Sequence, residues 1–416
     1  MRRVLRNMGW LLGGRGVNAL LSLLYLALAT RSLGLTDFGY FAIIVGLGQA
    51  ITGLATFQTW QLIVRHGARH GAAGDALGFA LALDGISIAA GTIFSAILIW
   101  LAPAWIGLPR NLCFIALGFC LVSLLTIRST PTGILRLHDR YGLAAIAESA
   151  TPVVRAIGAG LAAWLMPTVT GFLLVWALGE LASTSAYWFF AAREERPRLS
   201  AIGLRGASFQ DGSPWPFVWA TNLSGSLSVA SRQILLVLVG AIGGPVLAGG
   251  FRVAAQLGFG MLKLAQAVSR AIYPELVRSG DEAHGLARRM TWWSGAVGLA
   301  TVAATALLGQ WALGMVAGPA YGFAYVAMVL LAAGAAFEMA AASGEALLIA
   351  QGRVSLALFI RMVPAGLALA LLPFAIGQAG LAGAAACVLA GSLLAFAGFA
   401  GAGRKSREGL PASDCA

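Results

Sequence analysis

Twelve stretches of about 20 mostly apolar residues constrain this chain more than any motif in it, because that length and composition is what a helix needs to cross a bilayer. They fall at 8–30, 39–62, 77–101, 111–130, 143–165 and 171–192, then at 215–240, 247–270, 290–313, 323–343, 355–374 and 381–402. Irregular backbone and open sheet edges cannot face lipid, and membrane strands alternate over about ten residues. These windows are continuous, so they read as helices. Composition agrees: 11% of the 416 residues are charged, against about 25% for a soluble domain. The expected fold is an all-α polytopic membrane protein of about 12 transmembrane helices.

Orientation follows from the Lys/Arg bias. With residue 1 on the cytoplasmic side, the inner segments carry 20 of the 28 Lys and Arg, including Arg2, Arg3, Arg128, Arg193, Arg196 and Arg404, while the outer loops carry only Arg31 and Arg110. Both termini are expected in the cytoplasm of a bacterial inner-membrane protein. All tryptophans but Trp176 fall near expected span ends, as an interfacial belt requires. The first window imitates a secretory signal, with a basic start and Ala27-Leu28-Ala29. Arg15 and Asn18 interrupt its apolar run, so it reads as a retained span.

The formal charge of +12 does not point to nucleic acid, since most of it belongs to the topology signal. Cys113, Cys120, Cys387 and Cys415 form neither a metal-binding spacing nor a disulfide framework. Outer loops of five to nine residues and a largest polar interval at 193–214 leave no room for an extramembrane catalytic domain. No P-loop, HExxH or nucleophile elbow is present. His66 and His70 have helical i, i+4 spacing, but their Gly-rich basic setting reads as a loop near headgroups. Gly46-Leu47-Gly48 follows no strand, which removes a dinucleotide site. No enzyme activity, cofactor or metal is expected.

Six spans precede the 193–214 interval and six follow it. The expected organisation is an N-terminal six-helix bundle (1–192), a cytoplasmic linker (193–214), a C-terminal six-helix bundle (215–402) and a cytoplasmic tail (403–416). An even number of spans per half makes the halves parallel repeats. Aligning the first junction of each half, with one insertion, sets Gly34 and Gly39 opposite Gly243 and Gly249.

An ionisable group at mid-bilayer costs at least about 2.5–3.5 kcal/mol and so faces a bundle interior or a water cavity. The intramembrane cations are Arg15, Arg155, Arg232, Arg252, Lys263 and Arg361, and the acids Asp84, Glu148, Glu180 and Glu338. On the eighth span, Arg252, Gln256, Lys263, Gln266 and Arg270 all fall within about 40° of one direction, a track for an anionic group. On the seventh, Asn222, Ser226 and Gln233 share a face, with Arg232 beside them. Arg15 and Ser22 share a face of the first. Glu148 and Arg155 share a face of the fifth but lie about 10 Å apart along it, so each needs another partner. Glu180, near the middle of the sixth, is either the counter-ion of an intramembrane arginine or a site for a coupling proton or cation. Asp84, Glu338 and Arg361 lie within about two turns of the inner face and read as interfacial.

Short motifs recur in a familiar order. Arg31-Ser32-Leu33-Gly34 followed by Asp37-Phe38-Gly39 is similar to an R-x-L-G-x-x-x-[FY]-G exit from a first span. Gly249-Gly250-Phe251-Arg252-Val253-Ala254 with Tyr273-Pro274, then Gly318-Pro319-Ala320-Tyr321, then Gln351-Gly352-Arg353, complete the pattern. Taken together they resemble the oligosaccharide (O-antigen) flippases of the polysaccharide biosynthesis/export family, within the multidrug/oligosaccharidyl-lipid/polysaccharide exporter superfamily. The resemblance implies two six-helix bundles and alternating access. It also implies a substrate, an oligosaccharide on undecaprenyl pyrophosphate moved from the cytoplasmic to the periplasmic leaflet, with coupling to an H+ or Na+ gradient left open. Membrane lipids and the polysaccharide polymerase machinery are the other expected partners, and a monomer the expected state. Arg15, Arg155, Arg232, Gln233, Arg252, Gln256 and Lys263 are the candidate substrate contacts, chosen from depth and facing in this sequence. Glu148 and Glu180 are the candidates for ion coupling or for counter-ions. A multidrug antiporter of the same superfamily is the alternative; a membrane-embedded polymerase or ligase is disfavoured by the short outer loops.

Overall fold

The computed structural model describes residues 2–67, 73–204, 215–277, 283–350 and 353–408, with side chains described from Val17 onward in the first helix and not over 223–230, 261–291 or 403–408, nor at some positions within 199–221 and 343–354. Among them there is helix and no strand. The order is α1 (Arg2–Ala55), α2 (Thr59–Gly67), α3 (Ala73–Trp105), α4 (Arg110–Leu125), α5 (Ser129–Leu137), α6 (Tyr141–Leu165), α7 (Val169–Glu194), α8 (Trp215–Val277), α9 (Ala283–Val316), α10 (Tyr325–Ala350) and α11 (Val354–Glu408). Three of these are folded pairs: α1 turns at Gly34, α8 at Gly244 and α11 at Ala379–Gly380. Counted with those turns, and with α2 and α5 as the inner continuations of spans two and four, the helices make twelve crossings. By length and hydropathy alone, eight helical stretches could cross a membrane, three of them containing one of these turns.

The turns at Gly34 and Gly244 repeat one another. Gly34 (φ 73°, ψ −171°) and Gly244 (φ 81°, ψ 176°) share a backbone conformation 210 positions apart, in a region that is essentially closed to side-chain-bearing residues. The junctions therefore align without the expected insertion: Gly34 answers to Gly244 rather than Gly243, and Gly39 to Gly249. Gly107 and Gly318, also at positive φ, mark the next outer turn of each half.

The inner halves do not repeat. Span two breaks at residues 56–58 and span four at 126–128, whereas α8 runs unbroken from Pro245 to Val277. The expected windows ended too early here. Arg65, His66 and Gly67 belong to α2, not to a loop, and His66 is buried with Nδ1 3.3 Å from the Leu62 carbonyl. Arg69 and His70 lie outside the described residues.

The described residues form two compact units, Leu20–Gly249 and Gly250–Ala416 with Met1–Ala19. In the first, Tyr25, Phe41, Phe172 and Trp176 stack edge-on or tilted at 5.4–6.2 Å between ring centroids. Gly39 sits so close to Pro245 that an added Cβ would meet the Pro245 carbonyl. In the second unit, α10 packs between α9 and α11, and small residues such as Ala332, Ala335, Ala384 and Ala385 are buried. Close packing of small residues is how membrane helices associate when lipid offers no hydrophobic drive. Trp100, Trp164, Trp292 and Trp311 remain at least 65% exposed near span ends, where amphipathic rings sit in the headgroup layer.

Replacing Gly39 by Val should lower the thermal midpoint of the detergent-purified protein, by about 1–3 kcal/mol of overpacking. Gly85, with open space around its Cα, should accept Ala without change in the same melting assay.

Candidate functional site

The first unit holds a polar network near the middle of α6 and α7, built from spans four, five and six. Arg155 lies 10 residues from the outer end of α6 and Glu180 11 residues from that of α7, about 15 Å along each helix. Arg155 Nη2 donates to Glu180 Oε1 at 2.5 Å, and Arg128 Nη2 donates to Glu180 Oε2 at 2.6 Å. One carboxylate thus serves two guanidiniums, one per oxygen. Arg128 Nη1 donates to the Ser183 hydroxyl at 2.7 Å and lies 3.8 Å from Glu148 Oε2, which also accepts from the Tyr187 hydroxyl at 3.1 Å. The Arg155 guanidinium lies 3.5 Å from the centroid of the Trp176 ring. A cation over an indole face is stabilised by the ring quadrupole, most strongly where water is excluded.

Local sequence accounts for the geometry. The break at 126–128 lets Arg128 leave the helix axis, and the Thr184 hydroxyl donates to the freed Thr126 carbonyl at 3.1 Å. On α7, Trp176, Glu180, Ser183 and Tyr187 stand at i, i+4, i+7 and i+11, one face of a helix. Gly179 gives Arg155 room, since an added Cβ would lie 2.8 Å from its Cγ. The four charges, Arg128, Arg155, Glu148 and Glu180, sum to zero.

A second cluster lies at the two helix breaks. Asp84 on α3 is 7% exposed. It accepts from the Thr59 hydroxyl at 3.3 Å and from the Thr130 hydroxyl at 2.5 Å, at the N-termini of α2 and α5. Alongside, Ser129 Oγ accepts from the Trp60 backbone N–H at 3.2 Å, and the Arg136 guanidinium lies 4.0 Å from the Trp60 ring centroid.

The residues singled out in the sequence are distributed as follows. Arg155 and Glu180 form an ion pair, and Glu148 adjoins it through Arg128. Arg232 is exposed 12 residues inside the Gly244 turn, with Gln233 half-buried beside it, and Arg252 and Gln256 are half-buried on the unbroken helix that continues through position 263. The side chains of Arg15, Ser226, Lys263, Gln266 and Arg270 lie outside the described set. Two expectations are corrected. Arg128, assigned to a cytoplasmic loop, sits at a helix break and completes the Glu180 network; the sequence signal for this was Thr126 to Pro131, a polar, Pro-containing stretch inside a span-length helix. Asp84, read as interfacial, is buried within the protein. In the second unit, Arg361 donates to both carboxylate oxygens of Glu345, Nε at 3.2 Å and Nη2 at 2.5 Å, a pairing the sequence reading did not include.

Removing one partner of a buried ion pair leaves an uncompensated charge and costs about 3–5 kcal/mol. Glu180→Ala should therefore depress melting temperature and expression sharply. The double variant Glu180→Leu/Arg155→Met should recover much of that loss in the same melting assay.

With this geometry in place, comparison with known proteins is informative. The chain is 29% identical over 337 residues to the inner membrane protein YghQ of Escherichia coli (strain K12), covering 78% of this chain and 95% of that one. Its fold matches an inward-facing multidrug-resistance MATE-family transporter of the MOP superfamily, with a TM-score of 0.66, 19% identity, and 95% and 96% of the two chains covered. It matches equally the lipid II flippase MurJ in an inward closed conformation, with a TM-score of 0.66, 10% identity, and 96% and 87% covered. The proteins that share the fold in these structures are transporters and a flippase, not enzymes. The family described as polysaccharide biosynthesis protein matches residues 4–279, well over half of the sequence, and the chain belongs to that family.

Proposed function

We propose that this protein flips a polyprenyl-pyrophosphate-linked oligosaccharide from the cytoplasmic to the periplasmic leaflet of a bacterial inner membrane, by alternating access, for surface polysaccharide biosynthesis. Both termini are cytoplasmic in this reading, the protein acts as a monomer, and its product passes to the polymerase machinery. Membership of the polysaccharide biosynthesis family supports the substrate class, and the inner-membrane relative supports the location.

The observation that carries the reading is the exposed Arg232. It stands 12 residues, about 18 Å, inside the outer turn of α8. An exposed guanidinium at that depth is too costly against lipid and calls for a water-filled cavity. In the other unit, Arg252 and Gln256 are half-buried on the following span, and helical spacing in the sequence sets Lys263 in line with them. Cations at such depth offset the desolvation of two phosphates as they cross. The acids give an organic-cation antiporter less support. Glu180 is held by two arginines, Glu345 by Arg361, and Asp84 by two threonines.

Charge reversal tests these cations. In a strain whose only copy carries Arg232→Glu, Arg252→Glu or Lys263→Glu, surface polysaccharide should fall at least about tenfold, the equivalent of about 1.4 kcal/mol at the limiting step. Normal export by all three overturns the reading. A deletion strain with intact surface polysaccharide but raised sensitivity to cationic drugs would favour the antiporter instead.

A further inference from the structure

Asp84 differs from Glu148, Glu180, Glu338 and Glu345 because no charged group among the described residues pairs with it. Glu180 and Glu148 face Arg128 and Arg155, Glu345 faces Arg361, and Glu338, which accepts from the Ser392 hydroxyl, lies in the field of the same Arg361. Asp84 is 7% exposed and meets the hydroxyls of Thr59 and Thr130, with the Thr130 backbone N–H also directed at it. The elements packed on α3 are α2, α4, α5, the turn Leu199–Ala201 and the start of α8. Titratable groups on or flanking those elements include Arg65, His66, Cys120, Arg128, Arg136 and Arg198. Arg128 is committed to Glu180, Arg136 lies on the Trp60 ring, and the His66 ring is at the Leu62 carbonyl. None of the six forms an ion pair with Asp84.

We propose that Asp84 is a proton-binding site, which takes up and releases one proton in each transport cycle. This rests on the transport reading above. A buried carboxylate without a counter-charge is costly to keep ionised, and a proton removes that cost without any other group moving into the site. Threonine hydroxyls suit both states, since each is a donor and an acceptor. With Asp84 ionised, both hydroxyls donate to it. With Asp84 protonated on one oxygen, the carboxyl O–H donates to a threonine oxygen, and that hydroxyl turns its hydrogen elsewhere. Charge and protons balance with no other reactant. The 2.5 Å between Thr130 Oγ1 and Asp84 Oδ2 is a hydrogen-bond length. Hard cations draw in about six or more oxygen ligands, whereas this carboxylate meets two hydroxyls, a smaller set that suits a proton.

The position gives the proton something to move. Thr59 opens α2 and Thr130 lies in the first turn of α5, the two short helices produced by the breaks in spans two and four. Those helices pack on each other, with Ile63, Ile134 and Leu135 in one buried cluster. The protonation state of Asp84 therefore sets the hydrogen bonding at both breaks, on the inner side of the first unit.

Infrared difference spectroscopy of the full chain in nanodiscs, titrated with pH, tests the site without reference to the cargo. The wild type should show a protonated-carboxyl band that grows as pH falls and is missing from Asp84→Asn. Persistence of the whole band in Asp84→Asn overturns the proposal, as does a wild-type band displaced by sodium at constant pH. In cells, Asp84→Asn should cut surface polysaccharide at least tenfold, with the remainder insensitive to a protonophore; undiminished export by this variant overturns the proposal. Should Asp84→Asn fail to fold, Thr59→Val/Thr130→Val keeps the carboxylate and must shift the midpoint of the band, and an unmoved midpoint counts against the site. A titrating band in a protein whose deletion leaves surface polysaccharide intact would refute the glycan reading while sustaining the proton site.

Discussion

A carboxylate shared between two arginines in the middle of a membrane fixes much of what surrounds it. Glu180 cannot be left alone in hydrocarbon, nor can Arg155 or Arg128, so spans four, five and six must meet where these three side chains meet. The contacts on either side follow from that requirement. Trp176 covers the Arg155 guanidinium, Tyr187 and Ser183 take up what Glu148 and Arg128 leave over, and Thr184 satisfies the backbone carbonyl freed at the break before Arg128. The network closes on itself with no net charge. It is better suited to holding three helices in register than to binding a passenger.

The two halves are alike at the turns Gly34 and Gly244 and unlike at the opposite ends of the helices that those turns join. Gly34 and Gly244 adopt the same glycine-only backbone at corresponding junctions, a relation that survives because any other residue there would strain the turn. The breaks at 56–58 and 126–128 have no counterpart in α8 or α10. Each break frees backbone groups that must be satisfied inside the protein, and the first unit supplies Asp84, Thr59, Thr130 and Thr184 to do it. The polar investment in the first unit is the consequence of those breaks, while the mid-span cations Arg232 and Arg252 stand on α8, whose second segment is continuous.

The fold was largely legible because hydrocarbon imposes a length and a composition that any reader of the sequence can measure. Expected and observed spans agree to within a few residues at most outer ends, where Gly, Pro and short polar turns interrupt the apolar runs. Agreement was poorer at inner ends. A helix that continues past the hydrocarbon becomes polar, as in Arg65-His66-Gly67 and Ser129 to Leu137, and such a stretch looks like a loop. Arg128 was misplaced for that reason, and its absence from the list of intramembrane cations left Glu180 with no assigned partner. Asp84 was misplaced for a related one: position along α3 does not say whether a side chain faces headgroups or neighbouring helices.

By itself the sequence determined that this chain is a bundle of some twelve membrane-crossing helices, with charges inside the bilayer that need partners or water. Hydropathy and the energetic cost of buried charge are properties of single segments, and single segments can be read in order. Tertiary structure alone decided which charges answer one another, because the two ion pairs of Glu180 join residues 25 and 52 positions apart on different helices, and the second depends on the break that redirects the backbone at 126–128. Only there does Asp84 separate from the ion-paired acids Glu148, Glu180 and Glu345, held by two threonines with no charged partner among the described residues.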